Sequence, residues 1–144
     1  MRRAAKCIII LLVAGALCFW FAHDNYLLPT RTDKLLRIAG IKAHGYFGKA
    51  VFHDYWMDIL GYTDGYELLI IPTSCIDTIQ PYEWRSVPIY LSQYQKVPFR
   101  GMSDEMWNET YEKSASFTNG EDEYTIMLSE EHCAVYRAHH KACI

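Results

Sequence analysis

At 144 residues the chain has room for one domain and a short leading segment, since a self-sufficient core needs on the order of 50 residues or more. With 51% hydrophobic and 22% charged residues it falls outside the disordered class, whose low hydrophobicity cannot offset chain entropy. Arg2, Arg3 and Lys6 precede an apolar run, and the part after Ala22 holds eleven basic against seventeen acidic residues, a formal net of −6. Phosphate backbones are held by clustered Lys and Arg, so this balance argues against nucleic acid as a partner.

Residues Cys7 to Ala22 form a run of sixteen uncharged residues that His23, Asp24 and Asn25 close. As a helix the run is about 24 Å long, between a signal h-region and a full bilayer span. Three positive charges lie before it and none follows until Arg31, which predicts a cytoplasmic N-terminus and an external C-terminus. Trp20, between Phe19 and Phe21, stands where an interfacial aromatic belt belongs. The reading favours a retained single-pass anchor in the cell membrane, with the lipid bilayer as partner of residues 7–22. A cleaved signal peptide, with Ala14-Gly15-Ala16 as its small residues, is the alternative and would leave a secreted domain. Cys18 suggests a lipoprotein, but Leu17 stands where a lipobox needs a small residue. The resulting division is an anchor over 1–24, a linker over 25–31 and an extracytoplasmic domain over 32–144.

In that domain Thr32 is the expected N-cap of a short helix whose face carries Leu35, Ile38 and Ala39, with Gly40 just past its end. Lys49 to Trp56 and Tyr66 to Ile71 are rich in β-formers. They predict an antiparallel pair joined by a long loop that finishes in the Asp64-Gly65 turn dipeptide. Thr73 or Ser74 should cap a second short helix through Ile76 and Ile79, stopped by Pro81, and residues 82–100 should be irregular. Ser103 begins a third helical signal, with Met102 and Trp107 as a hydrophobic staple. A strand over Ser114 to Thr118, a turn at Asn119-Gly120 and a closing hairpin from Tyr124 to His139 complete the chain. The fold class is therefore α+β: an N-terminal membrane helix, then a small antiparallel sheet with short helices packed on one face.

This order of elements carries a resemblance. The helix ending in AGI, the loop Gly61-Tyr62-Thr63-Asp64-Gly65, Trp84 ahead of a proline, the Ser114-Ala115-Ser116-Phe117-Thr118 segment and the closing hairpin resemble a group of uncharacterised, membrane-anchored proteins of Gram-positive bacteria. The resemblance spans most of residues 32–138 and implies the anchored topology; it implies no activity. In that group the loop is similar to G-F-H-G-D-G, and here the His is missing.

Two constellations could carry chemistry. His53, Asp54 and Asp58, with Asp64 and Glu67 nearby, combine imidazole with carboxylates as general acid–base work or metal binding requires. On a strand, however, His53 and Asp54 point to opposite faces. His132, Cys133, His139, His140 and Cys143 gather imidazoles and thiols within twelve residues, at spacings that match no standard zinc motif. They read as a solvated, partly frayed tail with Cys133 in the core, so no metal and no cofactor is expected. Beyond the apolar run lie Cys75, Cys133 and Cys143; three cannot all pair internally, and free thiols are favoured. The eleven tyrosines have two readings: large side chains filling a small core, or a binding surface. The function expected is a non-enzymatic extracytoplasmic domain that binds a protein, glycan or envelope component, with Tyr62, Asp64 and Tyr66 as binding residues. The alternative is a small envelope hydrolase or metal-dependent enzyme built on His53, Asp54 and Asp58.

Overall fold

A computed structural model describes residues 2–24, 29–45, 51–57 and 62–142. Helix α1 (Arg2–Asp24) contains a stretch, Ala4–Ala22, long and apolar enough to cross a membrane. None of that stretch is buried against the rest of the protein: Leu11 is 71% exposed and Trp20 67%. Nineteen residues give about 28 Å of helix, close to the hydrocarbon thickness.

Helix α2 (Pro29–Ile38) starts three residues before the expected cap. Pro29 supplies the reason, because proline at the first helical position has its φ already set and lacks only an N–H that would go unused. Thr32 is consequently a buried member of the helix, beside Leu35, Leu36 and Ala39, while Asp33, Lys34 and Arg37 face solvent. Gly40 ends the helix at φ +61°, and its N–H donates to the Arg37 carbonyl at 3.1 Å. A Cβ at Gly40 would lie 2.4 Å from the Gln80 side chain, and the Gln80 N–H donates back to the Gly40 carbonyl at 3.0 Å. Gly40→Val should therefore lower stability by about 1–2 kcal/mol, since a β-branched residue is strained at positive φ. An unchanged urea midpoint for this variant would contradict that account.

Strands β1 (Ile41–Ala43) and β4 (Ile76–Ile79) form a separate antiparallel pair. The expected helix through Ile76 and Ile79 is instead one 3-10 turn, Thr73–Cys75, followed by β4. Three of the four β4 residues are β-branched, and pairing Ile79 with Ile41 suits them better than a helix does.

The main sheet is antiparallel throughout, in the order β2-β3-β7-β6-β5, built from Val51–Met57, Tyr62–Pro72, His132–Ala142, Asp122–Leu128 and Lys113–Asn119. β3 is longer at its start than the sequence suggested. Asp64 pairs with Trp56 and Gly65 with Tyr55, so Asp64-Gly65 lies inside the strand and is not a turn. The β-forming partners on both sides override the local turn preference of the dipeptide. The hairpin connection at residues 58–61 lies outside the described residues. The other expected turn is present, with Gly120 at φ +66° between β5 and β6.

Both faces of this sheet are covered. On one, Leu69, Ile71, Ile126, Cys133 and Val135 pack under Leu35, Leu36 and Ala39 of α2 and Ile41 of β1. On the other, Leu68, Ile70, Met127, Ala134 and Tyr136 pack against Leu91, Phe99 and Tyr111. Helix α3 (Asp104–Trp107) joins this second layer through Met106 and Trp107, with Met102 beside them, and the Ser103 hydroxyl accepts from the Met106 N–H. The α+β class thus stands, but the helices are divided between the faces and do not share one. β3, β6 and β7 carry apolar residues on both faces, so each face of the sheet needs its own cover.

The tyrosines whose side chains the structure describes are mostly core. Tyr111, Tyr124 and Tyr136 are buried, and rings gather in two groups: Tyr82 stacks on Phe117 and Phe117 on Tyr124, while Tyr66 stacks on Tyr136 and Tyr94 meets it at a tilt. Among the tyrosines whose side chains the structure describes, only Tyr90 is exposed.

Candidate functional site

Strand register assembles a polar strip on the α2 face of the sheet. Across one rung lie His53, Glu67, Arg137 and Tyr124; across the next lie Gly65, His139 and Asp122. Side chains two residues apart share a face, so each rung follows from alternation along β3, β6 and β7.

Arg137 is the hub. Its Nη1 donates to Glu67 Oε2 at 2.6 Å, and its Nη2 lies 2.9 Å from Asp122 Oδ2, which also accepts from Nε at 2.9 Å. His139 Nδ1 meets the other Asp122 oxygen, and the Tyr124 hydroxyl reaches Asp122 Oδ2 at 3.4 Å. Glu67 is only 3% exposed. Burial by itself disfavours the Arg137 cation, but its hydrogen bond to Glu67 and the two carboxylate charges outweigh that and hold its pKa above the ordinary value. Burial likewise raises Asp122, yet the His139 hydrogen bond and the Arg137 charge bring it below its ordinary 3.8. Lys34, Leu35 and Ile38 of α2 roof a cavity of about 230 Å³ over this cluster, with Asn119 at its side.

A carboxyl held low in the folded state stabilises the protein above its unfolded pKa, and that contribution is lost as pH falls through the folded value. The stability lead of the wild type over Asp122→Asn should therefore be constant at neutral pH and shrink once pH drops below 3.8. Thermal midpoints of the two proteins between about pH 2.5 and 7 would show it. A gap that stays flat down to the acid end would contradict the assignment.

Chemically the cluster is a closed set of charge pairs. General acid–base work at neutral pH wants a carboxyl raised toward 7 or an imidazole aimed at substrate. Here Asp122 is lowered and His139 is turned onto it. A second set, Ser129, His132 and Glu109, contains the residue types of a hydrolytic triad in a different connectivity. Glu109 sits between the other two, taking His132 Nδ1 at 2.8 Å and the Ser129 hydroxyl, while Ser129 Oγ accepts from the His132 N–H at 2.9 Å. An activated serine needs the imidazole as its neighbour. This arrangement instead ties the corner between β6 and β7.

The residues singled out in sequence are dispersed. His53 stands opposite Glu67 on the strip, whereas Asp54 falls at the next register position, paired with Tyr66; Asp58 lies outside the described residues. Tyr62, Asp64 and Tyr66 occupy the β3 strand, paired with Ala142, His140 and Ala138, and do not form a loop. Tyr66 is half-buried and packs on Tyr136 at 6.1 Å beside the second core layer.

The C-terminal set is no frayed tail: β7 pairs with β3 as far as Ala142, and His132 and His139 each hold a carboxylate. Cys133 is buried as expected, its thiol pushed up to about 12 by burial, and Cys75 and Cys133 are free; Cys143 lies outside the described residues. Among the described residues no three His, Cys, Asp or Glu side chains are placed to hold a metal ion. Sequence reasoning passed over Arg137, Asp122 and Glu109. The available signal was a lone charge inside an apolar alternation, Arg137 in CAVYRAH and Glu67 in YELLII, because a core-facing charge requires a partner.

No protein-family model matches the chain, and no curated protein or solved structure does so either.

Proposed function

We propose that the chain is a single-pass membrane protein with a cytoplasmic N-terminus, whose external domain acts by binding a protein or another envelope component. The charge order around residues 7–22 and the resemblance to anchored proteins of Gram-positive bacteria support the topology. Binding is favoured over catalysis because the polar clusters are satisfied internally, with Asp122 lowered and Ser129 facing a carboxylate.

One observation carries the choice of surface. Outside α1, Val87, Tyr90 and Val97 are the exposed large apolar residues among the side chains the structure describes, all on the segment between Trp84 and α3. That segment borders a cavity of about 250 Å³ lined by Arg85, Pro88, Ile89 and Tyr94 together with Ser116 of β5. Exposed apolar groups beside an aromatic and an arginine are the composition of interface anchors. This reading takes residues 85–97, rather than Tyr62, Asp64 and Tyr66, as the proposed binding surface.

Two experiments test the reading. A C-terminal tag on intact protoplasts should be digested by added protease, and a protected tag would refute the orientation. A photo-crosslinking residue at position 87 or 97 should yield discrete adducts in cells, while the same residue at Glu130 should not. Equal or absent adducts at all three positions would refute this surface.

A further inference from the structure

The domain sorts its charge along the chain. Residues 25–49 carry five basic side chains, Arg31, Lys34, Arg37, Lys42 and Lys49, against one acidic, Asp33. Residues 50–144 carry six basic against fifteen acidic. The basic block is the part that leaves the anchor. α1 ends at Asp24 and α2 begins at Pro29, and a connection of this length spans at most about 18 Å even when fully extended. The first turn of α2 is therefore confined to the neighbourhood of the bilayer surface that α1 leaves.

The described side chains of this block are placed to meet that surface. Lys34, Arg37 and Lys42 are all exposed, Lys34 at the edge of the cavity over the Glu67–Asp122–Arg137 cluster and the other two on the side of β1, while Leu35 and Ala39 are committed to the core. Arg37 and Lys42 line a groove of about 520 Å³ between α2 and the β1–β4 pair, with Leu36, Ile41 and Ile79 as apolar walls. Asp33 lies in the same groove and offsets one of these charges. Nearby, His44 is paired with Asp77 at 2.8 Å. Against the basic rim the remaining body of the domain is strongly acidic, so an anionic surface attracts one side of the molecule and repels the rest.

We infer that the face formed by α2, β1 and β4 docks on the anionic lipid headgroups of the bilayer that holds α1. This rests on the reading of α1 as a membrane anchor. Headgroup phosphates meet Arg37 and Lys42, the glycerol region meets the apolar walls of the groove, and the acidic body points away from the bilayer. Docking fixes which surfaces of the domain stay accessible to partners and makes its orientation depend on lipid charge. A basic residue near an anionic surface strengthens association about fivefold, and the attraction falls off within roughly one Debye length.

The test uses the full chain reconstituted in vesicles of phosphatidylcholine alone or with about one third phosphatidylglycerol. Exposed lysines are labelled with an amine-reactive reagent and quantified by mass spectrometry. Lys34 and Lys42 should be labelled several-fold less in the anionic vesicles, with Lys96 and Lys113 unchanged as internal references. High salt should remove the difference, and so should the combined variant Arg37→Gln and Lys42→Gln, read at Lys34. Equal labelling of Lys34 and Lys42 in both vesicle types, with the chain co-floating with each, would overturn docking and leave the anchor intact. A chain that floats with neither vesicle would overturn the anchor and docking together.

Discussion

Replacing Leu12 and Val13 together by arginine should move the chain from the carbonate-resistant membrane fraction to the soluble one. Both residues sit at the centre of the apolar stretch Ala4–Ala22, with their side chains exposed and nothing in the domain covering them. At the middle of a membrane helix an arginine costs about 2.5–3.5 kcal/mol, and the aliphatic residue it displaces had contributed favourably. The pair should therefore cost about 6–8 kcal/mol of insertion free energy, more than a span with a short apolar run can absorb. The same variant should leave the domain's unfolding midpoint unchanged, because α1 shares no core with it. Retention in the carbonate pellet would show that α1 is not what holds the protein to membranes. A wild-type protein recovered in solution without residues 1–24 would show that the segment is a cleaved signal.

Arg137→Met should destabilise the domain by about 3–5 kcal/mol, the largest effect expected of any single substitution in the sheet. The loss does not come from the apolar replacement itself, which suits a position flanked by Val135 and Tyr124. It comes from what the substitution leaves behind: Glu67, 3% exposed, would keep a buried charge without the guanidinium that compensates it, and Asp122 would lose two of its hydrogen bonds. Adding Glu67→Gln to Arg137→Met should accordingly recover part of the loss, with a coupling of about 1–3 kcal/mol measured by urea unfolding. Additive losses in the double-mutant cycle would mean that Glu67 and Arg137 do not depend on each other.

The elements that were legible in sequence are those whose signal is local. Alternation from Tyr124 to Leu128 and again after His132 marks β6 and β7, Asn119-Gly120 marks their preceding turn, and Ser103 marks the cap of α3. The misreadings occurred where distant partners outvoted a local preference. Asp64-Gly65 has turn chemistry, but Trp56 and Tyr55 on one side and His140 and His139 on the other hold it in the sheet. Ile76 to Ile79 lies after a helix-capping sequence, but β1 offers it a strand to pair with.

The candidate site was less legible than the fold for the same reason. Glu67, Asp122 and Arg137 are separated by up to seventy residues, and only the register of three strands brings them to one place. The sequence marks His53 beside its chain neighbour Asp54. Its neighbour in space is Glu67.

The position of β7 bears on when this chain can become a protein at all. The last strand in sequence is the middle one of the sheet, between β3 and β6. Until it is in place the β2–β3 hairpin and the β5–β6 hairpin have no shared neighbour, and neither core layer is closed. A nascent chain that has not yet released β7 therefore holds two separate ribbons with no common partner. Closure of the sheet waits for residues 132–142 to emerge from the ribosome. Truncation just before His132 should yield a product that is synthesised but never matures, one that quality-control proteases would remove.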